Sequence, residues 1–172
     1  MNNESKMVLC PGCGLSLPDR NLRKAERFNA SGECLETYFE LTYWTLAHQD
    51  GRFIHQYAVD AYEAQHASGS TKPITVVFGL IGLYLALEKG YTGRQVQLAH
   101  MKIAQRKKDW PRLELPVRKS SMTVLDVLNA KSDAEREEKL MQWASSVWDT
   151  WEDTHAHVRT ITEQVLFKKS RE

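Results

Sequence analysis

The sequence predicts an all-α protein, a bundle of five or six helices with an irregular N-terminal arm. Three observations support this prediction. Apolar residues recur at helical spacing from Ser31 almost to the C-terminus, capping residues precede several of these segments, and no segment alternates as strongly as a strand would. The 172 residues suffice for a single helical domain with a large core, on which residues 1–30 are expected to pack as an arm.

The first two helices are predicted on either side of a turn at Asp50-Gly51. Ser31 is a suitable N-cap for the first helix, and the second is expected over residues 52–66. If the two helices form an antiparallel hairpin across this turn, the start of the first helix lies beside the end of the second.

The third helix should begin at Pro73 and end before Gly90, because proline suits a first turn and glycine a C-terminal stop. Within it, Gly79 and Gly82 lie on about the same side, which predicts the close approach of a neighbouring backbone. A fourth helix follows the capping box at residues 92–95 and ends in the basic residues 106–108.

The C-terminal part is predicted to contain a short helix at residues 123–130 and one long helix after the capping box at residues 132–135. The long helix should run for about 35 residues, because its apolar residues alternate in steps of four and three. Three tryptophans at positions 143, 148 and 151 are expected in the core rather than in a ligand-stacking site.

Composition and charge argue against several functional classes. The chain has 42% hydrophobic and 26% charged residues and a formal charge of +1, which gives no net attraction to nucleic acid or membrane. The longest apolar run, residues 74–87, is shorter than the about 20 residues that a spanning helix needs. No apolar leader precedes Cys10, so we expect a cytoplasmic protein without a membrane partner. A homo-oligomer stays open.

Two segments carry opposite charge. Residues 94–119 have an excess of six positive charges, and residues 133–153 have an excess of five negative charges. Mutual docking or solvated faces explain both segments more simply than a nucleic-acid interface, which stays an alternative.

The most informative motif is Cys10-Pro11-Gly12-Cys13-Gly14. Two cysteines separated by two residues direct both sulfurs at one ion, and thiolates with tetrahedral partners select zinc. A second such turn is missing, so the other donors must come from Cys34, the third cysteine, and from the six histidines. The arm is therefore predicted to be a zinc knuckle, with a free or redox-active dithiol as the alternative.

Cys34 is the third predicted ligand, because it lies at the start of the first helix, where backbone charge favours a thiolate. His66 is preferred to His55 as the fourth, because the predicted hairpin brings the end of the second helix beside Cys34. The two histidines stand about three turns apart and cannot bind the same ion. Simple burial of Cys34, and a hydrogen bond from His66 at the helix terminus, are the alternatives.

A second candidate site is a polar pocket in the bundle that contains His55, Asp60 and His155, with Tyr62 nearby. Such a cluster can bind a metal or perform acid–base chemistry. For His155 a simpler role is favoured, that of a core histidine bonded to one carbonyl or carboxylate.

Five segments resemble an uncharacterised, mainly bacterial family classed as a domain of unknown function. They are CPGCG at 10–14, ASGEC at 30–34, VDAYEAQH at 59–66 after His55, TVLDV at 123–127 and WASSVWDTWEDTHAHVR at 143–159. The resemblance implies that seven polar residues match recurrent positions of that family, namely Cys10, Cys13, Cys34, His55, Asp60, His66 and His155. It implies no activity.

The sequence favours a cytoplasmic, non-enzymatic zinc-binding protein, whose metal joins the N-terminal cysteines to the first two helices. The first alternative is a metal-dependent hydrolase or transferase that uses the histidine-lined pocket. The second is a nucleic-acid-binding module. Catalytic residues cannot be assigned from the sequence.

Overall fold

The computed structural model describes residues 6–168 and is mostly helical. In chain order its elements are β1 (Met7–Leu9), β2 (Ser16–Pro18), α1 (Gly32–Ala47), α2 (His55–Gln65), α3 (Pro73–Lys89), α4 (Gly93–Arg106), α5 (Val124–Leu128), α6 (Asp133–Thr150) and α7 (His155–Thr162). A 3-10 turn at Glu152–Thr154 precedes α7 and a π turn at Glu163–Phe167 follows it. The helical prediction is confirmed, although residues 6–168 contain seven α-helices rather than five or six.

The additional helix arises because the predicted long C-terminal helix is wrong. It divides at Trp151, where φ is −96° and ψ is 18°, into α6 and α7. The Trp148 carbonyl oxygen accepts hydrogen bonds from the Trp151 amide at 2.9 Å and from Nε2 of His155 at 2.9 Å. These donors replace the continuing α-helical bond, and the rings of Trp148 and His155 stack with their centroids 3.7 Å apart.

The N-terminal arm contains a small antiparallel hairpin rather than only irregular chain. Leu9 of β1 lies opposite Ser16 of β2. Residues 10–15 form the hairpin loop, closed by bonds from the Cys10 amide to the Leu15 carbonyl at 2.8 Å and from the Gly14 amide to the Cys10 carbonyl at 2.9 Å. Gly14 adopts a φ of +78°, which favours glycine. The CPGCG motif is thus the loop of this hairpin.

Helix α2 lies at the centre of the bundle and packs on α1, α3, α4 and α6. Gly79 makes the close approach to the α2 backbone that the sequence predicts, whereas Gly82 faces an α2 side chain. A Cβ on Gly79 would stand 3.1 Å from the Asp60 carbonyl oxygen, and one on Gly82 would overlap the Asp60 carboxyl group. The core also includes the three predicted tryptophans, Trp143, Trp148 and Trp151, all buried.

A connector without helix or strand, residues 107–123, joins α4 to α5. Leu113 anchors it in the core. Its arginines bind backbone carbonyls: Arg112 donates to Gly69 at 2.7 Å, and Arg118 donates to Asp149, near the end of α6, at 2.7 Å. None of the helices in the described part of the chain has the length and apolar character that a bilayer crossing requires.

Candidate metal centre

Three cysteines and one histidine meet where the hairpin loop touches the start of α1 and the end of α2. The sulfurs of Cys10, Cys13 and Cys34 and a ring nitrogen of His66 all lie within 4.8 Å of one another. All four residues are buried, with at most 5% of each side chain exposed. The structure therefore brings together the four residues that the sequence selects as ligands, and this cluster can hold a metal ion.

Each donor has a local structural reason for its position. Cys10 and Cys13 belong to the hairpin loop, in which Gly12 packs so closely on the end of α2 that a Cβ would stand 2.7 Å from Cδ2 of His66. Cys34 lies in the first turn of α1, where its amide donates to the side chain of the N-cap Ser31 at 3.1 Å. His66 is the C-cap of α2, as the predicted helical hairpin requires.

The tautomer of His66 suits a ligand. Its Nδ1 lies 2.9 Å from the Tyr62 carbonyl oxygen, which can only accept, so Nδ1 carries the proton. In a neutral ring, Nε2 then keeps its lone pair, and this atom lies 3.4 Å from the Cys34 sulfur. Nδ1 is thus held by the backbone of α2, and Nε2 is the nitrogen that could bind a metal ion, a usual arrangement for metal-binding histidines.

The spacing of the donors fits a tetrahedral ion. Zinc–sulfur bonds of about 2.3 Å place two sulfurs about 3.8 Å apart at tetrahedral angles. The sulfurs of Cys13 and Cys34 are 3.8 Å apart, well beyond the about 2.05 Å of a disulfide, and all three cysteines are free thiols. Similarly, a sulfur and an imidazole nitrogen on one zinc ion stand about 3.5 Å apart, close to the separation of Cys34 and His66.

Without a cation, three neighbouring buried sulfurs cannot all ionise. Hydrogen bonds from Cys13 and Cys34 lower the pKa of the Cys10 thiol far below its usual value. The hydrogen bond to Cys10 raises the pKa of Cys13 to about 12. Hydrogen bonds to Cys10 and Cys13, together with burial, raise the pKa of Cys34 further still. A cation is the group that would favour three thiolates together.

Tyr62 belongs to the surroundings of this cluster, although the sequence suggested it for the histidine pocket. Its hydroxyl lies 3.5 Å from the Cys34 sulfur, and its ring stacks on both His66 and Tyr38 with centroids 3.9 Å apart. Burial raises the pKa of Tyr62, so the phenol stays protonated and can donate to the sulfur. The helical position four residues before His66 is the sequence signal for this contact.

The other residues of the predicted pocket have separate partners. Nδ1 of His55 lies 2.8 Å from the Thr45 hydroxyl. The Asp60 carboxylate accepts a hydrogen bond from Nε2 of the Gln56 side chain at 3.0 Å. His155 bonds to the Trp148 carbonyl, the simpler role that the sequence favours. Within residues 6–168, no cluster of three potential metal donors includes His55, Asp60 or His155. These contacts give the enzyme alternative no support.

A second donor cluster was missed by the sequence reasoning. His48, Asp50 and Glu137 place donor atoms within 4.8 Å of one another. However, the Arg52 guanidinium binds Asp50 at 3.0 Å and Glu137 at 2.5 Å, and His48 binds Glu137 at 2.7 Å. The Arg52 cation is thus already paired with both carboxylates, and the cluster is only partly buried.

Comparison with known proteins gives a family but no activity. No curated protein and no solved structure significantly matches the chain. The resemblance seen in the sequence is confirmed by a match to one family over residues 8–152, a range that contains all four clustered donors and ends before His155. The chain therefore belongs to a family of unknown function, DUF5946.

Proposed function

We propose that this chain is a cytoplasmic zinc-binding protein in which one zinc ion, held by Cys10, Cys13, Cys34 and His66, has a structural role. The ion would fasten the N-terminal hairpin to helices α1 and α2. When bound, zinc supplies the positive charge that three adjacent thiolates require, and the protein supplies the four ligands and their orientation.

The observation that carries this proposal is the convergence of four buried donors from three separate parts of the chain. Zinc is the metal that suits this donor set, because three thiolates and one imidazole in tetrahedral positions match its usual structural sites. Three free thiols also fit a reducing compartment such as the cytoplasm.

A structural role is favoured over catalysis because the four protein donors complete a tetrahedral shell. Catalytic zinc sites usually keep one position for water or substrate. Here the Tyr62 hydroxyl contacts the Cys34 sulfur, and the Tyr62 carbonyl accepts a hydrogen bond from Nδ1 of His66. Such contacts hold ligand orientation and tautomer.

The test is zinc content measured on the full chain after expression without added metal. We expect one zinc per chain in the wild-type protein and in His157→Gln, because His157 is exposed on α7. His66→Gln should lower zinc affinity at least about 100-fold, since it removes one of four ligands. Metal-free wild-type protein with three freely titratable thiols, or full zinc affinity in His66→Gln, would overturn the proposal.

A further inference from the structure

The connector makes a direct contact with the hairpin loop through one lysine. Nζ of Lys119 donates to the carbonyl oxygens of Pro11 and Gly12, each at 2.7 Å. These two residues lie between the first two proposed ligands, Cys10 and Cys13. The Lys119 side chain also passes over Gly14, where a Cβ would stand 3.3 Å from its Cδ. The connector is therefore bonded to the backbone that directs two thiols.

A second contact joins the connector to the residue before the histidine ligand. Gln65 donates from Nε2 to the Met122 carbonyl at 2.7 Å and accepts from the Trp143 indole at 2.9 Å. Since His66 follows Gln65 directly, an ion that holds His66 also fixes this end of α2. Residues 119–122 of the connector are thus bonded to both sides of the proposed metal centre.

Between these contacts, the hairpin loop and the connector enclose a cleft of about 180 Å³. Its lining includes Gly12 of the hairpin loop, Gln65, Trp151 and residues 115–120 of the connector. Val117, one of these lining residues, is fully exposed. The shape of the cleft therefore depends on where the hairpin loop and the connector are held.

We propose that metal binding at the four donors controls the position of the connector and so the shape of this cleft, with Lys119 as the positioning residue. This inference rests on the proposed metal centre. An ion on Cys10 and Cys13 fixes the Pro11 and Gly12 carbonyls in the positions that Lys119 requires. Loss of the ion frees the loop, Lys119 loses both acceptors, and the connector moves away from the cleft.

Trypsin cleavage after Arg118 tests this coupling in the full chain, because cleavage requires local release of the connector from the bundle. We expect cleavage after Arg118 to be about tenfold faster in the metal-free protein than in the zinc-loaded protein. Cleavage after Lys89, at the end of α3, serves as the internal control for general loosening and should change much less.

Two variants distinguish the lysine contact from general destabilisation. Zinc-loaded Lys119→Gln should bind one zinc yet be cleaved after Arg118 as fast as the metal-free wild-type protein, whereas Lys119→Arg should restore slow cleavage. Lys108→Gln is the matched control, because Lys108, at the start of the connector, donates within residues 6–168 only to the Ala104 carbonyl in the last turn of α4. Its cleavage after Arg118 should match that of the wild-type protein.

The outcomes separate this inference from the proposed function. If the chain binds no zinc, both are wrong. If zinc binds but cleavage after Arg118 is the same in zinc-loaded and metal-free protein, only the coupling is wrong. If Lys119→Gln behaves as the wild-type protein in both states, Lys119 does not position the connector, and the inference is overturned.

Discussion

Residues 6–168 contain two clusters of potential metal donors, and they differ in whether a protein cation is already paired with the donors. In the cluster of three cysteines and His66, each donor is buried and the adjacent thiols compete for protons. In the cluster of His48, Asp50 and Glu137, an arginine already bridges the two carboxylates. Donor spacing alone does not distinguish them, since both satisfy the same 4.8 Å limit.

A metal site is therefore recognised by donors that no protein cation is paired with, as much as by the distances between the donors. Arg52 supplies to the carboxylate cluster the positive charge that a metal ion would otherwise supply, at a partly exposed position where solvent screens the rest. Within the described part of the chain, the sulfurs of the thiol cluster contact Tyr62, each other and His66, and no lysine or arginine is among these partners. These differences are why we propose the thiol cluster, rather than the carboxylate cluster, as the metal site.

The largest expected effect is that of replacing one thiol. Cys34→Ser should abolish tight zinc binding and lower the free energy of unfolding on the order of 4 kcal/mol, because metal loss belongs to the most destabilising class of change. Zinc content and chemical denaturation measure both effects. Glu137→Gln, in the other cluster, is the matched control and should keep one zinc per chain. Equal zinc loss in both variants would contradict the assignment.

A smaller effect is expected from the glycine that closes the loop over His66. Gly12→Ala should lower the free energy of unfolding by about 2 kcal/mol and weaken zinc binding, because the new Cβ would collide with the Asn29 carbonyl and the His66 ring. Gly51→Ala is the control, since nothing lies within 4 Å of a Cβ there. Denaturation with and without chelator measures the change. If Gly12→Ala is as stable as Gly51→Ala, the close packing of loop and histidine is wrong.

Outside both clusters, buried Asp60 gives a prediction about pH. Burial raises the pKa of this carboxyl well above its ordinary value of 3.8 in the folded chain. Below the unfolded pKa, Asp60 is protonated in both the folded and the unfolded state, and the stability is fully present. As the pH rises from there to the folded pKa, the unfolded state loses the proton first, so the stability falls. Asp60→Asn removes this dependence.

We expect the advantage of Asp60→Asn over the wild-type protein to grow by about 1 kcal/mol between acid and neutral pH. Denaturation at several pH values measures it. Glu63, whose pKa burial also raises, is present in both proteins, so its own titration contributes to both stability curves. A pH-independent difference would contradict a protonated Asp60.

The smallest effect should come from the carboxylate cluster. The hydrogen bond from Arg52 lowers the pKa of Glu137, so its contribution to stability is present above its unfolded pKa and is lost as pH falls through the folded one. Glu137→Gln should cost only about 0.5 kcal/mol near neutral pH, as partly exposed ion pairs contribute little. A tenfold larger loss of unfolding free energy in denaturation experiments would show that this cluster contributes more to stability than we assign to it.

The sequence predicted which four donors lie together because the information for it is local. Cys10 and Cys13 lie in one tight turn. Ser31 marks the start of α1 beside Cys34, and the short α1–α2 connection places His66 near Cys34. The confirmed N-caps Ser31, Thr92 and Ser132 and the confirmed first residue of α3, Pro73, likewise depend on residues close in the chain.

The features that the sequence did not predict depend on distant contacts, on very short elements or on single side-chain hydrogen bonds. Strands of three residues are too short to show alternation, so the hairpin was not predicted. The break at Trp151 depends on the His155 bond to a carbonyl, which the apolar pattern does not show. The contact of Lys119 with Pro11 spans 108 positions, and no spacing rule connects residues so far apart.

The most direct test of the central claim is X-ray absorption spectroscopy at the zinc edge of the purified full chain. Our account predicts three sulfur ligands at about 2.3 Å and one nitrogen ligand at about 2.0 Å. Because the two donor clusters differ in ligand element, the same spectrum distinguishes them. A shell of oxygen and nitrogen without sulfur, as His48, Asp50 and Glu137 would give, would contradict the account.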